Sequence, residues 1–210
     1  MRRQLVRFSK WLYRLGYMPG TSGNLSARLD DRRLLVTPTG MSKYLLRSAD
    51  MVIVDLDGRQ LAGTKKATSE LGMHLAVYRQ RENVNAVIHS HPPIATAFAC
   101  AGKALDEMLC QEAVMTLGPV PLARYATTGT EEVAASLTPL ISAYDAILLA
   151  NHGAVTCGQT LSDAFYKIET LEHVAHIRLV AHQLGSFRTL EQEEADRLLL
   201  AREKYAQNAV

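Results

Sequence analysis

Apolar runs of strand length alternate with helix-length segments along this chain, yet two pairs of those runs are joined by turns too short to hold a helix. LSARLD and RLLVTPTG flank Asp30-Asp31, and DAILLA and GAVTCG flank Asn151-His152. Strands joined by so tight a turn pair antiparallel, whereas strand–helix alternation demands helical layers over the sheet faces. Together these constraints predict an α/β fold: a layered domain with a central mixed, largely antiparallel β-sheet flanked by helices.

The remaining elements follow from periodicity and punctuation. Leu5, Phe8, Leu12 and Leu15 recur at helical spacing before Pro19-Gly20. MVIVDLDG reads as a strand ended by Asp57-Gly58, and Thr68 or Ser69 can cap a helix to about Arg81 with Leu71, Leu75 and Tyr78 on one face. NAVIHSH is a further strand, and PPIATAFACAG a short helix with proline in its first turn. Helices are expected from Gly129 or Thr130 to about Leu140, from Thr160 to Leu184, and from Leu190 to Tyr205. No internal repeat or Pro/Gly/Ser-rich linker divides residues 1–210, so a single domain is expected.

Composition excludes several classes. With 210 residues, 48% hydrophobic positions and a net charge of +2, the chain suits one globular core and carries no field that would draw nucleic acid. The basic amino-terminal segment never reaches the ~20 apolar residues of a membrane span, nor the apolar core of a secretory signal. Three unevenly spaced cysteines, Cys100, Cys110 and Cys157, do not form a disulfide framework, which points to a reducing, cytoplasmic setting.

Chemistry concentrates first in histidines. His89 and His91 end the apolar run Ala86-Val87-Ile88; two residues apart on a strand, they share a face and can converge on one ion. His152, in the turn after AILLA, is a third candidate, and Glu70 could add a carboxylate from the start of the preceding helix. His74, one turn beyond Glu70, competes as a ligand, while His173, His176 and His182 on the long helix read as surface or packing residues. A second pattern is a set of small, hydroxyl-rich turns: Thr21-Ser22-Gly23-Asn24, Thr37-Pro38-Thr39-Gly40 and Thr68-Ser69. Hydroxyls beside outward backbone N–H groups bind anions such as phosphate, and glycine lets the backbone approach closely.

These pieces resemble the class II aldolase/adducin family. TSGNLSARL, LLVTPTGMSKYLL, KKATSELGMHLAVYRQR, NAVIHSHPPIATA, PLARYATTGTEEVA and AILLANHGAV occur in family order and near-family spacing, from about Leu15 to Leu184. The resemblance implies a zinc ion, or another divalent metal, held by His89, His91, His152 and Glu70, with Glu70 doubling as acid and base. It implies a phosphate held by Thr21, Gly23, Asn24, Thr39, Gly40, Thr68 and Ser69. The activity implied is cleavage of a ketose 1-phosphate of the L-fuculose 1-phosphate kind to dihydroxyacetone phosphate and an aldehyde, through a metal-stabilised enediolate.

The resemblance also implies a homotetramer with active sites at subunit boundaries, where a tyrosine near the carboxyl end handles the proton at the aldehyde oxygen; Tyr205 matches that tyrosine. One departure bears on the substrate: where the aldolase pattern has a second tyrosine, this chain has Cys110, with Glu112 beside it. The same scaffold hosts sister chemistries, namely a sugar-phosphate 4-epimerase, methylthioribulose-1-phosphate dehydratase and 3-oxo-tetronate 4-phosphate decarboxylase. Metal-dependent isopeptidases also use Glu followed by His-Ser-His-Pro, but PPIATAFACAGKALD lacks their Ser-x-x-Asp. In adducin the domain serves without catalysis; loss of the metal histidines would mark that case, and here they are present.

Overall fold

The structure, a computed structural model, describes the backbone of residues 1–208 and their side chains except those of 203 and 205–208. Its centre is an eight-stranded sheet in the order β4-β3-β2-β1-β5-β8-β7-β6. Strands β1 (Asn24–Arg28) and β2 (Arg33–Val36) form the first hairpin, continued antiparallel by β3 (Val52–Asp55) and β4 (Gln60–Ala62). Strand β5 (Ala86–Ser90) lies between β1 and β8 (Gly153–Gly158), antiparallel to both, and β7 (Ala146–Leu149) pairs antiparallel with β8. Only β6 (Leu122–Ala123) runs parallel to its neighbour β7, which makes the sheet mixed and largely antiparallel.

Each face of the sheet carries its own core. On one face Leu25, Ala27, Ala86 and Ile88 pack with helices α1 (Arg2–Arg14), α3 (Pro93–Cys100), α4 (Gln111–Thr116) and α6 (Leu161–Gln183). On the other, Val36, Val54, Val87 and Val155 pack with α2 (Leu71–Gln80) and α5 (Glu131–Ile141). The alternation of Ala86, Val87 and Ile88 between these cores is the period-2 rule of a strand buried on both sides. Leu5, Phe8 and Leu12 of α1 are at most 2% exposed, so each contributes roughly 1.5–3 kcal/mol by leaving water. Leu15 is 42% exposed, against expectation: α1 has already ended, and Gly16 at φ +79° turns the chain away.

Helix starts also differ in detail. Thr130 and Thr160 accept from Glu132 N and Asp163 N as side-chain caps, but α2 has no such cap. Thr68 Oγ1 instead accepts from Glu70 N one residue earlier, so Glu70 itself occupies the capping position. Far from being apolar on one face only, α2 buries Met73, His74, Leu75, Val77 and Tyr78, because it lies between the sheet and α5. Helix α4 and strands β4 and β6 are short additions that periodicity did not signal.

The last helix, α7 (Gln192–Asn208), is tied to the sheet through Asp145 at the start of β7. That carboxylate meets Arg81 at 2.6 Å, Lys167 of α6 at 2.9 Å and Arg202 of α7 at 3.0 Å. Burial alone would raise its pKa, but Lys167 and Arg81 override burial and hold it below the ordinary carboxylate value.

Candidate active site

The site forms where β1, β5 and β8 end on the α2 face of the sheet. Val87 and His89 point the same way from β5, and Asn24 of β1 stands directly opposite His89. His91 follows one step beyond the strand. His152 comes from the β7–β8 turn, where Asn151 adopts φ +56°, a left-handed conformation that asparagine tolerates better than most residues.

The three imidazoles offer ring nitrogens that all lie within 4.8 Å of one another. His89 Nδ1 donates to Ala154 O at 3.0 Å, which leaves Nε2 as the nitrogen with a free lone pair. That Nε2 lies 3.0 Å from His91 Nε2 and 3.3 Å from Glu70 Oε2, while His152 Nε2 lies 3.3 Å from Glu70 Oε1. Glu70 Oε1 is buried without any hydrogen bond, its approach to His152 being one of distance only. A buried carboxylate oxygen left unpaired beside three crowded nitrogens is costly unless a cation sits among them, and the donor set suits a divalent metal.

Electrostatics favour the neutral, ligating form of the rings. Burial pushes His89 well below its ordinary pKa, and His91 and His152 add to this. Burial lowers His91 to about 4 and also lowers His152, where Glu70 opposes the shift.

A cavity of about 500 Å³ opens above these groups. Its walls bring together all the hydroxyl-rich turns: Thr21, Gly23 and Asn24, then Thr39 and Gly40, then Thr68 and Ser69, with Glu70, His91 and His152 at one end. The turns are locked to one another, since Thr39 N donates to Lys66 O and Thr68 N to Thr37 O. Gly23 is required here: at φ +72°, an added Cβ would stand 2.7 Å from Met18 Cγ and 3.0 Å from His89 O. A larger cavity of about 710 Å³ between α2 and α5 shares Ser69, Glu70 and Gly129 with it but reaches no histidine, so the chemistry belongs to the smaller one.

Two residues stand out that sequence reasoning missed or misplaced. Among the described residues Lys43 is the one lysine or arginine in the cavity wall, 1% exposed, donating to Thr21 O and Met41 O at 2.9 Å each. Burial pushes it down to about 8, and Glu70 acts the other way. His74 is not a competing ligand: its Nδ1 meets Ser26 Oγ at 2.6 Å and its Nε2 meets Asn24 Oδ1. Asn24 in turn donates from Nδ2 to Glu70 Oε2 at 2.8 Å.

The other expectations distribute as follows. His173, His176 and His182 are exposed on α6. Cys110 is half-buried at the start of α4 and Glu112 is exposed; neither lines the cavity. The side chain of Tyr205 lies outside the described residues.

Fold and site together point to one family, and comparison with known proteins agrees. Residues 3–179 match the model of the class II aldolase and adducin N-terminal domain, and the chain belongs to that family. It is a lyase of the class II aldolase type. It is 36% identical over 181 residues to "L-fuculose phosphate aldolase" of Methanococcus maripaludis (86% of this chain, 97% of the relative). It is 33% identical over 208 residues to "5-deoxy-D-ribulose 1-phosphate aldolase" of Bacillus thuringiensis (98% and 97%). It is also 36% identical over 182 residues to "3-oxo-tetronate 4-phosphate decarboxylase" of Escherichia coli K12 (84% and 85%). Among solved structures, one of "L-fuculose 1-phosphate aldolase" superposes with a TM-score of 0.90 at 31% identity, covering 98% of this chain and 95% of that one.

Proposed function

We propose that this chain is a zinc-dependent aldolase that cleaves a ketose 1-phosphate to dihydroxyacetone phosphate and an aldehyde. The observation that carries the reading is the junction of two site types in one cavity: three imidazoles and an unpaired carboxylate oxygen at one end, a hydroxyl-rich anion cradle at the other.

His89, His91, His152 and Glu70 hold the metal, which supplies Lewis-acid stabilisation of the negative charge that develops on the sugar oxygens. Thr21, Gly23, Thr39, Gly40, Thr68 and Ser69 hold the phosphate. Asn24 adds the second hydrogen of its Nδ2, the first being committed to Glu70. Lys43 supplies the fixed positive charge that a phosphate dianion needs in a partly desolvated pocket. In the cleavage direction Tyr205, reaching in from a neighbouring subunit of a homotetramer, takes the hydroxyl proton at the carbon that becomes the aldehyde. Glu70, having taken up a proton, then delivers it to the carbon that stays with the phosphate half, and Tyr205, ionised for the first step, passes its proton to solvent before the next turnover.

A phosphorylated sugar is thus the partner, with neither nucleic acid nor membrane involved, in the cytoplasm. Among the described residues no helix is long and apolar enough to cross a membrane.

A second reading has specific support. Cys110 stands where the aldolase pattern has a tyrosine, and a relative at 36% identity is named a decarboxylase. The same metal and cradle would then serve loss of carbon dioxide from a 3-oxo-tetronate 4-phosphate.

The test is to incubate metal-replete protein with L-fuculose 1-phosphate, 5-deoxy-D-ribulose 1-phosphate and 3-oxo-tetronate 4-phosphates, with a chelated control, and to identify products by mass spectrometry. Chelator-sensitive release of dihydroxyacetone phosphate is the expected result. Loss of carbon dioxide or water, or mass-neutral isomerisation, would replace the aldolase reading with a sister chemistry.

A further inference from the structure

Between α2 and β1 runs a buried polar seam. Glu70, His74 and Tyr78 recur every four residues from the helix, and Asn24 and Ser26 every two from the strand. Four helical residues advance about 6.0 Å. Two strand residues advance about 6.6 Å. The two rows therefore interdigitate, and hydrogen bonds zigzag between them: Glu70 to Asn24 at 2.8 Å, Asn24 to His74, His74 to Ser26 at 2.6 Å, Ser26 to Tyr78 at 2.9 Å. His74, Ser26 and Asn24 are each at most 4% exposed, and Tyr78 is 2% exposed, so water does not compete for these groups.

The direction of every bond in this chain follows from its end. An ionised Glu70 only accepts, so Asn24 must present Nδ2 to it and Oδ1 to His74. His74 then carries its proton on Nε2 and accepts at Nδ1 from Ser26, whose oxygen is left to accept from Tyr78. Glu70 thus sets which end of the Asn24 amide faces it, and the His74 Nε2–H, donating to Oδ1, anchors the amide from its other end.

We propose that His74 is a positioning residue for the metal centre: by anchoring the Asn24 amide, it holds a donor on Glu70 Oε2 and so keeps the carboxylate between His89 and His152. This rests on the reading of His89, His91, His152 and Glu70 as a metal site. Without the His74 donor, the buried Asn24 Oδ1 is left without that partner, the amide loses its anchor, and Nδ2 is no longer held against Glu70 Oε2.

The test compares His74→Gln, which keeps an N–H donor at the Nε2 position, with His74→Asn, which keeps only a group near Nδ1. Each protein is loaded with Co²⁺, its absorption spectrum is recorded, its affinity is measured by competition with a chelator, and its Tm is taken in parallel. The Asn variant should bind cobalt about 10- to 100-fold more weakly with an altered spectrum, the range seen when outer partners of metal ligands are lost. The Gln variant should restore both affinity and spectrum, whatever the two Tm values. Equal affinities and spectra for the two variants would overturn the proposal. Should both fail to fold, Asn24→Ala carries the test: it removes the amide through which His74 reaches Glu70, so unchanged cobalt affinity and spectrum in that variant would also overturn it. A wild-type protein that takes up no cobalt sinks the metal reading itself, whereas uptake without a difference between variants sinks the relay alone.

Discussion

His89 and His91 turn their Nε2 atoms to within 3.0 Å of each other, and with His89 Nδ1 already donating to Ala154 O, there is no proton on the facing nitrogen of His89. Two imidazole edges so placed gain most from a shared cation. Adding Zn²⁺ to chelator-treated protein should therefore raise its Tm, in proportion to the logarithm of free metal above Kd, because the ion binds the folded state. His152→Ala removes one of three neutral ligands and should abolish tight binding, read as zinc content after dialysis. Retention of wild-type zinc by that variant would contradict the ligand assignment.

Glu70→Gln keeps the shape of the side chain but removes its charge and its role as a proton carrier. Steady-state kinetics on the accepted substrate should show kcat lower by about 10²- to 10⁴-fold. The amide also loses an anionic ligand, so metal should be held more weakly. A variant that kept wild-type kcat would remove Glu70 from the chemistry.

Lys43→Met preserves length and apolar volume while deleting a lysine charge from the cavity wall. A hydrogen bond to a charged group is worth roughly 1.5–3 kcal/mol, so inhibition by inorganic phosphate should weaken by about 10- to 100-fold. Zinc content should be retained, since Lys43 Nζ meets Thr21 O and Met41 O and not the histidines. Equal phosphate inhibition in variant and wild type would place the phosphate elsewhere.

Burial pushes His74 down to about 3 from an ordinary 6.5. Above pH 6.5 both folded and unfolded chains carry it neutral, and it costs nothing. Between 6.5 and about 3 the unfolded chain takes up a proton that the folded one refuses, so stability falls as pH falls. The loss reaches about 3 kcal/mol by pH 4. Denaturant unfolding from pH 7 to pH 4 should show this slope in metal-free protein, with His89 and His91 adding to it, and His74→Gln should make it shallower by the share of His74.

Gly153→Ala would place a Cβ 2.6 Å from both His91 Cδ2 and Ser90 O. Both must give way: the His91 ring moves, and the backbone at Ser90 and residue 153 parts locally. Overpacking of this kind costs roughly 1–3 kcal/mol, and a displaced His91 should show as lost zinc in a protein whose far-ultraviolet circular dichroism is unchanged. Full zinc occupancy would mean that His91 is not a ligand.

The legible parts of fold and site share a physical origin. Ala86-Val87-Ile88 announced a strand, and period 2 then put His89 and His91 on one side of it without further information. The hydroxyl-rich turns were legible because glycine and small side chains have few other uses in such density. Lys43 was not, since a lysine between Ser42 and Tyr44 reads as an ordinary solvated cation until the turns fold over it. His74 was misread for a related reason: its spacing from Glu70 fits a ligand and a support equally well, and what separates them is Asn24 and Ser26, some 50 residues away. Leu15 met the opposite fate, an apolar residue in helical register left outside because Gly16 ended the register first.

At the far end of the molecule Asp145 serves Arg81, Lys167 and Arg202, which belong to three different helical segments. A hub of one anion and three cations makes tolerance to change lopsided. Any single cation can be lost and the carboxylate still has partners, so drift at Arg81, Lys167 or Arg202 is buffered. Loss of Asp145 leaves Lys167 with Asp163 alone, and Arg81 and Arg202 facing it without the carboxylate they share, so every helix in the cluster depends on a residue that belongs to none of them.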